Sequence, residues 1–419
     1  MAPVFAYRYG SIYIEGRAAL EAAKIAGQSN GIPQLVLHTL FIHSPHSPRI
    51  LYLYPISIPL PRSTRMAPSI NELPISDSPS ACRVGINGFG RIGRNVLRVA
   101  LARNDIQIVA INHTCTSIQD LIYLIRYDSS MGKLSADIPI HAISDSQISV
   151  NGRPIALTSE RDLKKLNWAA LGAEYVVECT GKFTKRELAQ DHITYGGAKR
   201  VVISAPSSDS PTYVYGVNAD EYRADEESRV ISCASCTTNC VTPVLKVLQR
   251  EFGIAQGFLT TVHAATKSQT VLDGYSKKNR RLGRSVFDNI IPTTTGAAKA
   301  IASVLPELTG KVTGASIRVP TPNVSLIDLT VSTEAPTSLA EILAAFRRAA
   351  KNELAGVLSV SDEVLVSSDY LGDSHSAIVD AAACSELNPT FFKIMAWYDN
   401  EWGYSSRLLD LTRHIAHEE

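Results

Sequence analysis

The sequence has almost no excess of charge of either sign. Its 41 lysine and arginine residues nearly balance 40 aspartate and glutamate residues, for a formal net charge of +1. This balance gives no electrostatic reason to expect nucleic acid or an anionic membrane as the main partner, although a local basic patch could still bind an anion. Nucleic acid is therefore retained only as a secondary alternative.

Cysteine is also scarce, with seven in 419 residues. Few cysteines in an odd number argue against a disulfide framework and favour a reducing compartment, so we expect a cytoplasmic protein. No apolar run approaches the length needed to span a bilayer, which argues against a membrane protein. The chain is long enough to favour two packed domains over a single core.

Residues 1–80 differ from the rest in composition. Before Met66 the only acidic residues are Glu15 and Glu21, whereas basic residues recur. This imbalance loosely resembles an organellar transit peptide. The alternative, a dispensable leader or translated upstream sequence before a start at Met66, is favoured because the amphipathic Arg/Ser pattern is poor. We expect a poorly ordered extension that ends in a Ser/Pro-rich linker.

Two domains are predicted after this extension. Short apolar strands, beginning with Arg83–Asn87 and Ile106–Ile111, alternate with helical runs and predict a Rossmann-type, doubly wound parallel sheet over residues 82–233. Beyond residue 235 the strands are longer, and apolar and polar residues alternate more regularly along them. This pattern predicts an α+β catalytic domain over residues 234–399 with a large mixed or antiparallel sheet. A terminal helix within residues 400–419 is expected to pack back on the first domain.

A glycine-rich turn joins the first strand to the first helix: Gly88-Phe89-Gly90-Arg91-Ile92-Gly93. The first glycine permits a tight turn, the second lets a pyrophosphate approach the backbone, and the third lets helix and strand pack closely. Free N–H groups at the helix N-terminus then favour the phosphates. In this strand–turn–helix context the motif predicts dinucleotide binding.

The end of the second predicted strand departs from the dinucleotide pattern. An acidic residue is expected there to bind the adenosine ribose, but the sequence has His113. A histidine could donate to a ribose hydroxyl, tolerate the 2′-phosphate of NADP, or merely border the pocket. We expect NAD as the cofactor, with tolerance of NADP left open.

A cysteine-rich segment precedes a helical run at Val244–Arg250. Cys236 then lies at a helix N-terminus, where the dipole and free amides are expected to stabilise a thiolate and lower the pKa of the thiol. Cys233 and Cys240 are interpreted as structural, and Pro243 is expected to disturb the helix. His263 ends a predicted strand, but spacing alone cannot pair it with Cys236.

Several motifs together resemble the glyceraldehyde-3-phosphate dehydrogenase family, from about residue 83 to the C-terminus. They are INGFGRIGR (86–94), ASCTTN (234–239), TVHA (261–264), IIPTTTGAAKA (290–300), RVPT (318–321) and WYDNEWGY (397–404). The resemblance implies that Cys236 is the nucleophile and that His263 forms an ion pair with it and acts as its base. It implies no metal.

The resemblance also assigns binding residues. It implies that Thr266 and Arg318 bind the substrate's C3 phosphate. For the attacking inorganic phosphate it implies Ser235, Thr237, Arg284, Thr295 and Gly296. For the cofactor it implies Gly88, Phe89, Gly90, Arg91, Ile92, His113, Arg161, Thr180, Ser204, Asn400 and Tyr404, with Asn400 fixing the nicotinamide carboxamide and Tyr404 packing near its ring.

The function implied is NAD-dependent oxidation of glyceraldehyde 3-phosphate through a cysteine thioester, with inorganic phosphate releasing 1,3-bisphosphoglycerate in glycolysis or gluconeogenesis. A homotetramer is implied, in which the loop at about residues 265–290 reaches a neighbour's cofactor. Two alternatives remain at this stage. One is a related dehydrogenase, such as one for erythrose 4-phosphate, and the other is a paralogue that binds nucleic acid or protein.

Overall fold

The computed structural model describes residues 81–277 and 279–419, which form two eight-stranded sheets with helices packed against them. The predicted extension over residues 1–80 lies outside the described residues. Among the helices that are described, none combines the length and the apolar character needed to cross a membrane.

The first sheet has the strand order β3-β4-β5-β2-β1-β6-β7-β8. Its strands are β1 (Cys82–Asn87), β2 (Ile106–Asn112), β3 (Ile140–Ser144), β4 (Gln147–Val150), β5 (Arg153–Thr158), β6 (Tyr175–Glu178), β7 (Arg200–Ile203) and β8 (Val230–Ser232). The six strands from β5 to β8 in this order are parallel, and β3 and β4 add an antiparallel edge. Because β2 and β6 flank β1 on opposite sides, the chain reverses direction across the sheet at β1, and a cleft is expected at the carboxyl ends of these strands.

The helices of this half are α1 (Arg91–Leu101), α2 (Ile118–Arg126), α3 (Arg186–Ala189) and α4 (Asp191–Thr194). Helix α1 buries Val96 and Leu97 in the same apolar cluster as Leu408 and Ile415 of the terminal helix, α8 (Trp402–His417). This cluster includes residues of β1 and β2, so α8 packs against the first sheet.

The second sheet has the order β10-β11-β9-β12-β16-β14-β13, with β15 paired to β16. Its strands are β9 (Ile254–His263), β10 (Ile291–Thr294), β11 (Val312–Arg318), β12 (Ser325–Thr333), β13 (Leu358–Ser361), β14 (Ala377–Asp380), β15 (Ser385–Asn388) and β16 (Phe391–Tyr398). Strand β12 buries every second residue, so one face of this mixed sheet is covered. The helices that contribute to the same core are α5 (Cys236–Phe252), α6 (Ala297–Val304) and α7 (Leu339–Lys351).

The predicted fold class, a Rossmann-type sheet followed by an α+β region with a large mixed sheet, is confirmed. Helix α5 begins at Cys236, as expected, and it runs to Phe252 with Pro243, the residue expected to disturb it, inside. A proline inside a helix removes one backbone hydrogen bond. Eleven of the 17 residues of α5 are buried, and this packing offsets the loss.

Candidate active site

The glycine turn between β1 and α1 has the close contacts that its sequence predicts. Gly88 has a φ of 95°, and a Cβ there would lie 2.7 Å from Cγ2 of Thr180. A Cβ on Gly93 would lie 2.1 Å from the carbonyl oxygen of Gly88, so only glycine allows the helix to approach the strand this closely. Gly90 has open space where its Cβ would be, which leaves room for a ligand at the backbone. The turn therefore fits a pyrophosphate.

Two predicted cofactor residues within this turn, Phe89 and Arg91, have side chains that already contact other groups of the protein. Phe89 is buried in the core of the first sheet. The guanidinium of Arg91 donates from Nε to Oε1 of Glu401 at 2.9 Å and also binds Asp128. The side chain of Arg91 is thus directed at two carboxylates, and the backbone at Arg91 and Ile92 is the part of the turn available to an anion.

A cleft of about 540 Å³ lies at the carboxyl ends of β2 and β5. His113 lines it and is 7% exposed. Its Nδ1 accepts a hydrogen bond from the N–H of Cys115 at 3.0 Å, so the proton of the neutral ring is on Nε2. Burial lowers the pKa of His113, which favours this neutral form. The lining includes Asp145 but no lysine or arginine, so a 2′-phosphate there would meet no cation.

Three further predicted cofactor residues follow β5, β6 and β7. Thr180 donates from its N–H to Oε1 of the buried Glu178 at 2.7 Å. Ser204 donates from Oγ to the carbonyl oxygen of Glu178 at 2.8 Å. Arg161 is exposed in the segment after β5. Glu178 therefore organises the carboxyl edge of the sheet, a role that the sequence did not predict.

Cys236 is the first residue of α5, and Ser235 caps the helix by accepting the N–H of Thr238 at Oγ, 3.1 Å away. Sγ of Cys236 lies 3.5 Å from Nε2 of His263, the last residue of β9. Asn239 supports this turn by donating from Nδ2 to the carbonyl oxygen of Cys233 at 2.7 Å. The structure thus brings together the predicted nucleophile and base, which are 27 residues apart in the chain.

The backbone turn that leads into Cys236 is strained. Ala234 has a φ of 57°, a conformation that residues with a side chain rarely adopt. Its N–H donates to Oγ of Ser232 at 3.0 Å, and its carbonyl oxygen accepts from the hydroxyl of Tyr404 at 2.9 Å. Tyr404, which was expected near the nicotinamide ring, therefore also holds the turn on which Cys236 depends.

The other ring nitrogen of His263 has two competing partners. Nδ1 lies 2.8 Å from the carbonyl oxygen of Ala264 and 2.6 Å from Nη1 of Arg318. A carbonyl requires a proton on Nδ1, whereas a guanidinium requires a lone pair there. Only the first arrangement leaves a lone pair on Nε2 facing Cys236, which is the tautomer that a base needs. The orientation of Arg318 therefore affects the basicity of His263.

Burial shifts both members of the Cys236–His263 pair toward their neutral forms. It raises the pKa of the Cys236 thiol, although the charge of Arg318 and the N–H of Thr237 oppose the shift. The predicted lowering of the thiol pKa is therefore wrong for Cys236 taken by itself, because desolvation exceeds the effect of the helix terminus. Burial and the charge of Arg318 lower the pKa of His263 to about 4. At 3.5 Å, Sγ and Nε2 are close enough for a proton to pass directly between them.

Of the predicted phosphate-binding residues, Ser235 and Thr237 adjoin Cys236 in the chain and Arg318 contacts His263. Thr237 contacts the hydroxyl of Tyr398 through Oγ1 at 3.0 Å, and Thr266 contacts Oγ of Ser268 at 2.9 Å. Arg284 is exposed and paired with Asp273 at 2.8 Å. Thr295 is half-buried, and Gly296 caps α6.

Tyr398 has a role that the sequence did not predict. Its buried hydroxyl lies 3.0 Å from Oγ1 of Thr237 and 2.9 Å from Oγ1 of Thr261, so it ties α5 to β9. Its ring packs edge-on to that of His263. The sequence contained a signal for this role, because Tyr398 lies inside the WYDNEWGY motif.

Across residues 81–277 and 279–419, no cluster of three His, Cys, Asp or Glu side chains could hold a metal ion.

Two family models match this chain. The NAD binding domain of glyceraldehyde 3-phosphate dehydrogenase matches residues 82–186, and the C-terminal domain matches residues 235–400. Glyceraldehyde-3-phosphate dehydrogenase 1 of Schizosaccharomyces pombe is 49% identical over 334 residues, which cover 80% of this chain and 98% of the relative. Glyceraldehyde-3-phosphate dehydrogenase B of Aspergillus oryzae is 50% identical with the same coverage. The chain belongs to the glyceraldehyde-3-phosphate dehydrogenase family.

Membership in this family confirms the prediction of an oxidoreductase with NAD as its cofactor. The two alternative functions are not favoured by these similarities. A third relative, the chloroplastic glyceraldehyde-3-phosphate dehydrogenase GAPCP1 of Arabidopsis thaliana, is 49% identical over 341 residues, which cover 81% of this chain and 80% of the relative. Because that relative is named as chloroplastic, the cytoplasmic location stays a prediction.

The lowered pKa of His263 predicts a loss of stability in acid. Between pH 6.5 and about 4, the unfolded chain binds a proton at this residue that the folded chain does not, so the free energy of unfolding falls as the pH falls. At pH 5 this amounts to about 2 kcal/mol. Urea unfolding at pH 7 and pH 5 measures the decrease in the free energy of unfolding. This decrease should be smaller by about 2 kcal/mol in His263→Asn than in wild type. Equal losses in both proteins would contradict the prediction.

Proposed function

We propose that this chain oxidises D-glyceraldehyde 3-phosphate to 1,3-bisphosphoglycerate, with NAD as hydride acceptor and inorganic phosphate as second substrate, in glycolysis and gluconeogenesis. The contact of Cys236 Sγ with His263 Nε2, 3.5 Å apart at the start of α5, carries this proposal. It gives a nucleophile and a base within reach of each other, beside the positive charge of Arg318.

The cofactor is proposed to bind across the carboxyl edge of the first sheet. The backbone from Gly88 to Ile92 would hold the pyrophosphate, His113 would donate from Nε2 to the adenosine ribose, and Asn400 would orient the carboxamide. Thr180, Ser204, Arg161 and Tyr404 complete the proposed cofactor set. When bound, the nicotinamide supplies the acceptor for the hydride that leaves the substrate. Residues 82–233 then form the dinucleotide-binding domain and residues 234–399 the catalytic domain, with residues 400–419 returning to the first.

Catalysis begins with transfer of the Cys236 proton to Nε2 of His263. The thiolate attacks the aldehyde carbon, and His263 returns the proton to the carbonyl oxygen, which gives a thiohemiacetal. During oxidation His263 takes the hydroxyl proton again, and the carbon remains bound to Sγ as a thioester. Inorganic phosphate then attacks the thioester carbon, and the acyl phosphate leaves while the thiolate of Cys236 is restored.

Two anion sites are proposed beside the thioester. Arg318 and Thr266 would bind the C3 phosphate, and Arg318 would then turn from Nδ1 of His263 toward the anion. This movement leaves Nδ1 to donate to the carbonyl oxygen of Ala264, which is the tautomer that a base at Nε2 requires. The attacking phosphate would be bound by Ser235, Thr237, Arg284, Thr295 and Gly296.

A homotetramer in the cytoplasm is part of this proposal. The segment proposed to reach a neighbour's cofactor, residues 265–290, exposes large apolar side chains. They are Val271 at 60%, Leu272 at 75%, Tyr275 at 89%, Phe287 at 66% and Ile290 at 70% exposure. So many exposed apolar side chains within one segment support an interface between subunits.

A steady-state assay with glyceraldehyde 3-phosphate, varying NAD, NADP and inorganic phosphate independently, tests the function. We expect turnover to require inorganic phosphate and to saturate with it. We expect kcat/KM for NAD to exceed that for NADP by at least about tenfold, because a 2′-phosphate in the His113 cleft lacks a charge-assisted partner. Turnover that is independent of phosphate would instead indicate a dehydrogenase that releases the acid with water.

A further inference from the structure

A single buried hydroxyl connects the histidine end of the site to the nicotinamide end. Ser325, the first residue of β12, is fully buried. Its Oγ lies 3.0 Å from the N–H of Ala264 and 2.8 Å from Oδ1 of Asn400. A backbone N–H can only donate, so Oγ accepts from Ala264 and its own proton is donated to Asn400. The direction of this two-bond chain is therefore fixed.

The residue before Ser325 has a strained backbone, as does the turn before Cys236. Val324 has a φ of 68°, which is an outlier for a β-branched residue. Val324 is buried in a small apolar cluster with Tyr370 and Ile378, and this packing maintains the conformation. Among described non-glycine residues only Asn151 and Ala234 also have positive φ, and Asn151 lies in the turn between β4 and β5. Strain of this kind concentrates at functional sites.

At the histidine end, the hydroxyl fixes the residue that selects the tautomer of His263. Ala264 follows His263, and its carbonyl oxygen is the acceptor for Nδ1 at 2.8 Å. Ser325 holds the N–H of Ala264, and the next N–H, on Ala265, donates to the carbonyl oxygen of Thr321 at 2.8 Å. Because the N–H groups of Ala264 and Ala265 are both hydrogen-bonded, the carbonyl oxygen of Ala264 stays directed at the imidazole ring.

At the nicotinamide end, the hydroxyl fixes the orientation of an amide. Because Oδ1 of Asn400 accepts from Ser325, its Nδ2 group must point to the opposite side. Asn400 is 6% exposed, so its side chain has little freedom to exchange the two ends. The same hydroxyl thus controls one group at each end of the site.

We propose that Ser325 is a positioning residue that couples the tautomer of His263 to the orientation of the Asn400 amide. The proposal rests on the functions proposed above for His263 and Asn400. Loss of the hydroxyl removes a donor from Asn400 and an acceptor from Ala264 together, so nicotinamide binding and the activation of Cys236 weaken in the same variant.

The variant Ser325→Ala tests this coupling, with Thr412→Val as the matched control. Thr412 is also fully buried and donates one hydrogen bond, to the carbonyl oxygen of Leu408 within α8. For Ser325→Ala we expect a Kd for NAD raised about fivefold and alkylation of Cys236 at pH 7 slowed about fivefold, each from one lost hydrogen bond. The Cys236 peptide is quantified by mass spectrometry after iodoacetamide treatment. The control should change neither measurement, and Ser325→Thr, which restores the hydroxyl, should recover both.

The outcomes separate this proposal from the proposed function. A Ser325→Ala protein that is less stable but has the wild-type Kd for NAD and the wild-type alkylation rate would show a merely structural serine. If the alanine variant does not fold, Ser325→Cys keeps the side-chain shape with weaker hydrogen bonds, and an unchanged Kd for NAD in that variant overturns the proposal. The Kd for NAD and the rate of Cys236 alkylation can both be measured without turnover. An inactive wild-type protein would therefore refute the proposed function, while these two measurements would still decide the role of Ser325.

Discussion

Replacement of Cys236 by serine is expected to lower kcat for aldehyde oxidation by at least about 10⁴-fold, because no other group in the site can form the covalent intermediate. A serine hydroxyl is far more weakly acidic than a thiol, so His263 at this distance deprotonates it poorly. An ester in place of the thioester would also be a less reactive acyl donor to phosphate. A steady-state assay at saturating NAD, aldehyde and phosphate measures the loss.

The matched control for this variant is Cys240→Ala in the same helix. Cys240 lies one turn after Cys236 and is fully buried in the core beneath the second sheet, so its removal should cost stability through a small cavity. Its kcat per folded molecule should stay within about twofold of wild type, since no group of the site depends on it. If Cys236→Ser retained more than a small fraction of activity, or if Cys240→Ala lost as much, Cys236 would not be the nucleophile.

Replacement of His263 by asparagine is expected to lower kcat by about 10³-fold while leaving slow turnover, within the usual range for general acid–base catalysis. The thiol loses the acceptor at 3.5 Å, and burial then keeps it protonated. The remaining activity should increase with pH, since hydroxide replaces the imidazole in generating the thiolate. The pH dependence of kcat, measured from pH 6 to pH 10, checks both parts of this expectation.

His414→Asn is the control for the histidine variant. Nε2 of His414 contacts the carbonyl oxygen of Ala219 at 2.9 Å on the far part of α8, and its ring packs against Tyr215. This variant should keep the kcat of wild type and its pH dependence. Undiminished activity in His263→Asn, with the same pH dependence as wild type, would refute the role assigned to His263.

Local sequence patterns predicted the parts of this molecule that depend on neighbouring residues. The turn from Gly88 to Gly93 requires glycine for reasons of backbone geometry and close packing, and those contacts are present. The start of α5 could also be placed, because Ser235 is a favourable N-cap and Cys236 follows it. Such features are encoded within a few residues of each other and need no knowledge of the tertiary structure.

Features that depend on distant segments could not be predicted from spacing. The pairing of Cys236 with His263 came only from the family resemblance. The pKa of the thiol was predicted in the wrong direction, because the sequence shows the helix terminus but not the depth of burial. The hydroxyls of Ser325 and Tyr398 were missed for a similar reason, since a buried hydroxyl has a role only through partners that the fold brings to it.

The hydroxyl of Tyr404 on the carbonyl oxygen of Ala234 has a consequence for how the protein is made. Tyr404 follows Ala234 by 170 residues, yet its helix, α8, completes the turn before the nucleophile and is buried against the first sheet. During synthesis α8 leaves the ribosome well after that turn. A nascent chain in which Cys236 has left the ribosome and α8 has not therefore lacks the support that shapes the turn, and activity is expected only after α8 has been made.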